Sequence, residues 1–383
     1  MFSLNTRRPT IAEINLNNLA YNYRSSRSFI GTAVKYMAVV KADAYGHGAV
    51  ECSRRLASEG IDWLGVALVE EALELRNAGI RTPVLCLGSF WPGQESVLIE
   101  NDVTPVVYQL DRAERLNSAA AIIGRPIRIH VKIDTGMGRL GVRFDEVEDF
   151  VGRLRTLDRL RVDGLMTHFA VADELGGIAF TDLQIKRFYD SVEMFKNAGF
   201  DPTHIDLANS PGAVVHPASR GNMVRLGGIL YGLGGDILPS GIAKPALKPV
   251  LSLRSRIAQL KRVPAGDRVG YGHLFTTKRD SLIAAVPIGY HDGYRRGLSN
   301  NAKVIVNGTF APVVGRVSMD WITIDVTDVP GAGEEDVVIL IGEQNGVSCK
   351  AEDLAAMVDT ISYEITCGIG SRVERRFTGV DQD

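Results

Sequence analysis

Lysine, histidine and arginine side chains stand at the ends of several short apolar runs, and the first of them is Lys41. It ends the apolar start of "AVVKADAYGHG" (residues 38–48) and precedes a loop of small residues. A lysine after a strand is usually a solvated loop residue, but the apolar residues before Lys41 favour a buried or half-buried amine. Burial lowers the pKa of an amine, and the neutral form can attack a carbonyl and form a Schiff base. Lys41 is therefore a candidate nucleophile.

Other polar side chains follow later apolar runs in the same way. They are Lys132, Asp134 and Arg139 in "VKIDTGMGRLG", His168 in "MTHFAVAD", Asn209 and Ser210 in "ANSPG", and Arg225 in "VRLGG". Singly, a histidine of this kind is more often a core or rim residue, and such arginines are usually surface charges. If the runs are parallel barrel strands, their carboxyl ends meet on one rim, where barrel enzymes carry their active sites. The co-location predicts a catalytic rim.

Two small-residue turns, "NSPG" and "RLGG", follow the seventh and eighth runs. Phosphate groups are bound by backbone N–H groups, hydroxyls and glycines, and barrels often hold phosphate after these two strands. Gly227 and Gly228 allow the backbone to approach an oxyanion closely. Two ordinary strand-to-helix turns are the alternative, but their pairing on neighbouring strands favours a phosphate site.

Eight apolar runs alternate with helical stretches over the first two-thirds of the chain. The runs are residues 36–41, 63–67, 83–87, 104–108, 127–133, 162–168, 204–208 and 223–226. Such alternation predicts parallel strands joined by helical crossovers. The count of eight favours a closed (β/α)8 TIM-type barrel, an α/β fold, over an open sheet.

After about residue 241 the pattern changes to short strands separated by Gly, Pro, Asn and Asp, as in "AKVIVNGTFAPVVG" and "DWITIDVTDV". This predicts a mostly β C-terminal domain with one short helix near residues 350–358. We divide the chain into a barrel at residues 1–242 and a β domain at residues 243–383. A strand near residues 10–17 is expected to pair with the second domain.

Composition excludes several classes of protein. A net charge of −2 without basic blocks predicts neither a nucleic-acid partner nor binding to an anionic membrane, and no apolar run approaches a transmembrane length. Scattered cysteines and an N-terminal stretch without the apolar region of a signal peptide predict a cytoplasmic protein. The seven histidines are dispersed, and His204 and His216 lack partners at ligand spacing, so we expect no metal site.

One glycine pattern matches the dinucleotide-binding fingerprint. "GMGRLG" (residues 136–141) has the G-x-G-x-x-G spacing and follows a strand. The fingerprint also requires a helix that begins inside the glycines of the first βαβ unit. Here the helical pattern begins near Asp145, after the fifth strand. We therefore expect no NAD site.

Motifs in both domains together resemble those of alanine racemases. They are "AVVKADAYGHG", "VKIDTGMGRLG", "MTHFAVAD", "LANSPG", "VRLGGILYG", "GYGHLFTT", "PIGYHDGYRR", "GRVSMDWITIDVTDV" and "TISYEITCGIGSRVERRF". The resemblance implies a barrel that binds pyridoxal 5'-phosphate (PLP), a C-terminal β domain, and a homodimer with active sites at the interface. It implies an isomerase that interconverts L- and D-alanine by a two-base mechanism and supplies D-alanine for bacterial cell-wall peptidoglycan. A broad-specificity amino-acid racemase is the alternative.

The resemblance also implies roles for individual residues. Lys41 matches the lysine that anchors PLP and then serves as one base, and Tyr271 matches the second base, given by the partner subunit. Arg225 matches the arginine facing the pyridine nitrogen, His168 a residue beside the cofactor, and Lys132 a lysine that is carbamylated in some members. The other cofactor-binding matches are Tyr45, Leu87, Arg139, Ser210, Gly227, Gly228 and Tyr363. The substrate-binding matches are Arg139, Met319, Asp320 and Tyr290.

Arg225 would distinguish this site from most PLP enzymes, which place an acid at the pyridine nitrogen. An arginine stays protonated and donates only a hydrogen bond, so the ring is a weaker electron sink and transamination is suppressed. Two positions depart from the family. Asp206 stands where members often carry His and is expected to contact Arg225, and Gly270 precedes Tyr271 where Ser is common.

Two other functions remain as rivals at the level of sequence. A PLP-dependent decarboxylase on the same barrel would not need a second base at Tyr271. A PLP-carrier protein is typically the barrel alone, and the long β domain argues against it. Tyr290 and Tyr363 suggest a small pocket and hence alanine.

Overall fold

The computed structural model describes residues 8–379, which form a barrel and a second, mostly β region. The first strand and first helix are β1 (Ile11–Asn15) and α1 (Leu16–Ile30). The strands that follow are β2 (Lys35–Val39), β3 (Trp63–Val66), β4 (Val84–Cys86), β5 (Val103–Val107), β6 (Ile127–Asp134), β7 (Val142–Arg143), β8 (Leu160–Met166), β9 (His204–Asp206) and β10 (Met223–Leu226). The helical segments between them are α2 (Lys41–Gly46), a short turn with a left-handed backbone, and the helices α3 (Ala49–Ser58), α4 (Val69–Asn77), α5 (Glu95–Glu100), α6 (Leu110–Ile123), α7 (Val147–Leu154), α8 (Ile178–Asn197) and α9 (Ser210–Val215).

Eight of these strands close into a parallel barrel in the order β5-β4-β3-β2-β10-β9-β8-β6, and β5 pairs with β6 to complete it. The predicted TIM-type barrel is confirmed. Several strands end earlier than predicted; among them β2 ends at Val39 and β8 ends at Met166. Lys41 and His168 therefore lie just beyond the strand ends, on the rim where strand-to-helix connections carry function.

Strand alternation divides the barrel into an outer and an inner surface. On β6, Ile129, Val131 and Ile133 belong to the large core under the helices, which leaves His130 and Lys132 on the inner surface. The middle of the barrel is filled by a separate apolar cluster of Met37, Trp63, Leu85, Val106, Met166 and Met223. The part of the inner surface towards the amino-terminal ends of the strands, the lower interior, carries His130.

The lower interior holds a group of side chains that the sequence did not indicate. His204 has no partner at ligand spacing along the chain, but in the fold its side chain lies beside His130 and Asp163, and the three offer ligand atoms within 4.8 Å of one another. They stand on three neighbouring strands, β9, β6 and β8. Spacing along the chain cannot reveal such a group, because only the register of the barrel brings it together.

The second region is mostly β, as predicted. Its strands are β11 (Leu251–Arg256), β12 (Gln259–Val263), β13 (Arg268–Val269), β14 (Phe275–Thr276), β15 (Ser281–Val286), β16 (Lys303–Val306), β17 (Thr309–Pro312), β18 (Ile322–Asp325), β19 (Val337–Gln344), β20 (Val347–Cys349) and β21 (Glu374–Thr378). Its helices are α10 (Ala351–Met357), which confirms the predicted short helix, and α11 (Ser362–Cys367). The largest sheet has the order β17-β16-β19-β11-β1-β21, so β1 lies between two strands of the second region.

The segment of residues 363–375 packs on the turn that follows β2. The Tyr45 and Tyr363 rings lie 5.1 Å apart, and Arg375 Nε donates to the Gly46 carbonyl at 3.3 Å. A Cβ on Gly46 would stand 2.2 Å from the Thr366 carbonyl oxygen, so this contact requires glycine. Among residues 8–379, no helix is both long and apolar enough to cross a membrane.

Candidate active site

Lys41 begins a turn whose backbone is left-handed. Ala42, Asp43, Ala44 and Tyr45 have φ angles of 53°, 53°, 53° and 56°. Each L-residue in this region costs roughly 1–2 kcal/mol, so the turn persists only because its surroundings impose it. The turn fixes where the Lys41 side chain leaves the rim.

Hydrogen bonds hold this turn in place. The Glu71 carboxylate accepts from the Ala42 N–H at 2.7 Å and from the Ala67 N–H at 2.7 Å. Asp43 Oδ1 accepts from the Ala49 N–H at 2.7 Å at the start of α3. Glu71 was not a candidate from the sequence, because one glutamate in the first turn of an amphipathic helix gives no signal of what it contacts.

The Lys41 amine lies among other cations. Burial, and then the positive charge of Arg139, lower the pKa of Lys41; the Glu71 carboxylate opposes the shift, and the charge of Arg225 adds a smaller contribution to it. Burial followed by the charges of Arg225, Arg139 and Lys41 lowers the pKa of Lys132 to about 8. These groups create a positive field at the rim, which suits a ligand with several anionic groups.

Arg225 projects inward from β10 and is held by acceptors on the neighbouring strands. Its Nη1 donates to Asp206 Oδ1, and its Nη2 donates to the carbonyls of Thr167 at 2.8 Å and Leu207 at 3.2 Å. The expected contact between Asp206 and Arg225 is confirmed. Burial raises the pKa of Asp206, and the Arg225 guanidinium opposes that rise.

His168 stands beside the same guanidinium, with 3.4 Å between its Nδ1 and Arg225 Nη2. Burial, and then the charge of Arg225, lower the pKa of His168 well below its ordinary value. Arginine has only donors, so the imidazole accepts at Nδ1 and carries its proton on Nε2. The Gln184 amide fixes the His168 backbone by donating to its carbonyl at 3.2 Å.

The turns after β9 and β10 form a compact cradle. Ser210 Oγ accepts from the Gly227 N–H at 2.9 Å. A Cβ on Gly227 would lie 2.6 Å from Tyr45 Oη, and one on Gly228 would lie 2.4 Å from Tyr363 Cε1. Backbone N–H groups, one serine and two tyrosine hydroxyls thus meet where no side chain could be added. These donors fit the phosphate of PLP, and Lys41 supplies the amine to which its aldehyde would bind.

Three other predicted residues have local structural contacts. Asn209 caps α9 by accepting from the Gly212 N–H at 3.0 Å. Asp134 accepts from the N–H groups of Gly136 and Gly138 at 2.9 and 3.1 Å and so shapes the "GMGRLG" loop, while α7 begins only at Val147. Leu87 is half-buried, and its Cδ1 would lie 3.2 Å from a Cβ on Gly65.

Apart from Tyr363 in the cradle, the predicted residues of the β domain lie at its surface. Tyr271 is 72 % exposed, Met319 is 51 % exposed and Tyr290 is 43 % exposed. Asp320 accepts from Arg372 Nη2 at 2.8 Å. The Tyr271 segment packs on Arg316 of its own domain, since a Cβ on Gly272 would lie 3.4 Å from Arg316 Nη2. The barrel residues thus converge on one rim, whereas these residues of the β domain remain at the surface of their own domain.

The whole chain is similar to one family of enzymes. The family model "Alanine racemase, N-terminal domain" matches residues 14–234, and "Alanine racemase, C-terminal domain" matches residues 250–377. The chain is 44% identical over 373 residues to an alanine racemase of Geobacter sulfurreducens, covering 96% of this chain and 97% of that one. It is 42% identical over 359 residues to one of Syntrophobacter fumaroxidans, covering 94% of each.

Solved structures give the same result. An alanine racemase of Streptomyces lavendulae has a TM-score of 0.91 at 36% identity over 98% of each chain. An alanine racemase of Bartonella henselae with covalently bound pyridoxal phosphate has a TM-score of 0.86 at 28% identity, over 97% of this chain and 99% of that one.

Proposed function

The chain belongs to the alanine racemase family, and from that premise we propose that Lys41 and Tyr271 are the two bases of its reaction. The protein is a PLP-dependent isomerase that interconverts L- and D-alanine. The proposal concerns which residues carry the reaction and how two subunits share it. The observation that carries it is the Lys41 amine, half-buried among cations and next to the cradle of Ser210 and Gly227.

Racemisation removes the proton from Cα on one face and returns a proton on the other. When bound, PLP delocalises the charge left on Cα and so makes this proton removable near neutral pH. The lowered pKa of Lys41 favours the neutral amine, so Lys41 Nζ can accept a proton on the face it occupies. Tyr271 Oη would hold the proton for the opposite face.

Arg225 has a positioning and an electronic role in this proposal. Its guanidinium is fixed by Asp206 and by the Thr167 and Leu207 carbonyls, so it cannot swing away from the rim. A fixed arginine donates a hydrogen bond to a ring nitrogen but gives up no proton. We propose that Arg225 faces the pyridine nitrogen and that Arg139 serves the substrate carboxylate.

The second base requires a second copy of the chain. Tyr271, Met319 and Trp321 (46 % exposed) are large apolar side chains that the β domain leaves exposed. Exposed apolar side chains of this size are frequent at interaction surfaces. We propose a homodimer in which Tyr271 of the partner subunit reaches the Lys41 rim and Met319, Asp320 and Tyr290 of the partner subunit border the substrate.

Membership of the alanine racemase family also bears on the cellular compartment and the use of the product. The four cysteines are all unpaired, which suits a reducing compartment, and we propose that the enzyme works in the cytoplasm. There it would supply D-alanine for cell-wall peptidoglycan.

Two assays test this function. Purified protein with PLP should racemise L-alanine, followed by the loss of optical rotation, much faster than serine, lysine or arginine. Borohydride reduction followed by peptide mapping should find the cofactor on Lys41. Equal rates on all four amino acids would instead favour a broad-specificity racemase, and label on another lysine would overturn the assignment of Lys41.

A further inference from the structure

The lower interior of the barrel holds a polar cluster that racemisation does not use. It consists of His130 on β6, Asp163 on β8 and His204 on β9, whose potential ligand atoms lie within 4.8 Å of one another. Lys132 and Asp206 belong to the catalytic rim and stand two residues further along β6 and β9. Two residues of strand span roughly 6–7 Å, so the cluster is a separate layer beneath the active site.

The polar atoms of this cluster are buried without partners. His130 is fully buried, and within the described residues neither of its ring nitrogens has a hydrogen-bond partner. The same holds for Nδ1 of His204, which is 4 % exposed, and for Oδ2 of Asp163. The His204 Nε2 to Asp163 Oδ2 distance of 3.6 Å is too long for a hydrogen bond. Folded proteins rarely leave several such groups unpaired at one place, so each requires an explanation.

The donor atoms of the cluster suit a cation. Imidazole nitrogens and carboxylate oxygens are groups that bind divalent metal ions, and the unpartnered atoms of this cluster are of these two kinds.

We propose that His130, Asp163 and His204 bind one divalent transition-metal ion at the base of the barrel, with Zn²⁺ the best match to the donor set. Two imidazole nitrogens and one carboxylate oxygen form a common zinc ligand set, with a water molecule as the fourth ligand. The three ligands are distinct from the residues of the catalytic rim, since Lys132 and Asp206 stand two residues further along β6 and β9.

The surrounding residues hold these ligands in position. The Trp63 ring lies 5.5 Å from the His130 ring and 5.3 Å from the His204 ring, measured between centroids. Gly164 pairs with both histidines across β8, and a Cβ there would lie 2.5 Å from His130 Cε1. Metal–ligand bonds of about 2.0–2.2 Å require donor atoms about 3.3–4 Å apart, so the widest pair must approach by roughly 1 Å.

A cavity at the amino-terminal end of the barrel reaches one member of the cluster. It has a volume of about 600 Å³ and is lined by Asp163, by Thr104 and Thr203, and by Asp102 and Asp201 in the preceding loops. Asp163 is therefore the ligand that an ion arriving from this side would meet first. The three aspartates balance the charges of Arg125, Arg128 and Arg161, which also line this cavity.

Metal titration of the full-length, PLP-loaded protein tests the proposal. The protein is treated with a chelator, dialysed, and titrated with ZnCl2 or CoCl2 alone, and bound metal is counted by atomic emission. We expect one ion per chain, a visible Co²⁺ spectrum typical of nitrogen and oxygen ligands, and a higher unfolding temperature with Zn²⁺. Asp163→Asn and His204→Asn should each weaken binding at least about tenfold, the lower limit for disturbing a metal site.

Matched variants separate this site from adventitious binding. His216→Asn changes another buried histidine, outside the cluster, and should leave the stoichiometry and affinity unchanged. Asp163 is half-buried, so we expect the Asp163→Asn variant to fold. Its metal affinity therefore tests the site even if His130→Asn or His204→Asn fails to fold. The proposal is overturned if the wild type takes up no ion, as a water-filled cluster would behave. It is also overturned if wild type and Asp163→Asn bind metal equally.

Discussion

Arg225 and Asp206 form an ion pair inside the barrel, where their side chains are 3 % and 0 % exposed. The second carboxylate oxygen of Asp206 has no hydrogen-bond partner among residues 8–379. A buried pair of this kind is costly to break, because removal of one partner leaves the other charge without compensation. The pair therefore links the stability of the barrel to the orientation of Arg225 at the rim.

Replacement of Asp206 tests this link. We expect Asp206→Ala to lower the free energy of unfolding by about 3–5 kcal/mol, as for other broken buried pairs. Asp206→Asn keeps an acceptor for the Arg225 guanidinium and should cost less, about 1–3 kcal/mol. Urea unfolding measures both. Asp190→Asn is the control, because its pair with Lys186 is exposed and should contribute under about 1 kcal/mol. An equal loss of unfolding free energy in all three variants would show that the buried Arg225–Asp206 pair does not stabilise the barrel more than an exposed pair does.

Lys132 predicts a pH dependence of stability. Its pKa falls from 10.5 to about 8 in the folded state. Below pH 8 both states hold the proton, and the folded protein bears the cost of a buried charge, roughly 3 kcal/mol. Between pH 8 and 10.5 only the unfolded state keeps the proton, so this cost is progressively relieved and stability rises with pH.

Lys132→Met should therefore unfold at higher urea than wild type at pH 7, with an advantage that shrinks as the pH approaches 10. The urea unfolding of wild type and Lys132→Met should be compared in CO2-free buffer. A neutral amine reacts with CO2, and the resulting carbamate is an anion that would replace the positive charge under test. Lys278→Met, at an exposed position, is the control and should show no such trend. A difference that stays constant from pH 7 to pH 10 would rule out the lowered pKa.

The sequence predicted the barrel and most of its rim because both depend on local signals. The β-branched runs predict strands, and barrel topology then places Lys41, His168 and Arg225 on one rim. Contacts that depend on how the strands pair in the barrel could not be predicted from the sequence. Glu71 beneath the Lys41 turn and His130 beside His204 come from separate strands and helices, and nothing in their own neighbourhoods marks them. The left-handed turn was also missed, because Ala42 and Ala44 are residue types that favour right-handed helices.

The cradle predicts that Gly228 cannot carry a side chain. Gly228→Ala would place a Cβ 2.4 Å from Tyr363 Cε1 and force the tyrosine away. Loss of one or two hydrogen bonds to a charged phosphate should raise the dissociation constant of PLP about 10- to 100-fold. Gly152→Ala is the control, because its Cβ would meet open space on α7 and should leave PLP affinity unchanged. Equal PLP affinity in the two variants, measured by absorbance titration, would refute the cradle.

The left-handed turn predicts an unusual order of stability at position 42. Ala42 is exposed, so packing changes are small and backbone conformation dominates. Glycine adopts a positive φ without steric cost, and Ala42→Gly should gain up to about 1 kcal/mol. A β-branched side chain is least tolerated there, and Ala42→Val should lose roughly 1–2 kcal/mol. The opposite order in urea unfolding would show that the turn is not left-handed.

The central claim is that Lys41 and the partner's Tyr271 act together in one active site. The direct measurement uses a heterodimer of one Lys41→Ala chain and one Tyr271→Phe chain, co-expressed with different affinity tags and purified through both. Loss of a general base costs about 10²–10⁴-fold, so each mutant homodimer should be nearly inactive. The heterodimer contains one site with both bases intact, and we predict about half the wild-type racemase activity per dimer. A heterodimer no more active than its parents would contradict the shared site.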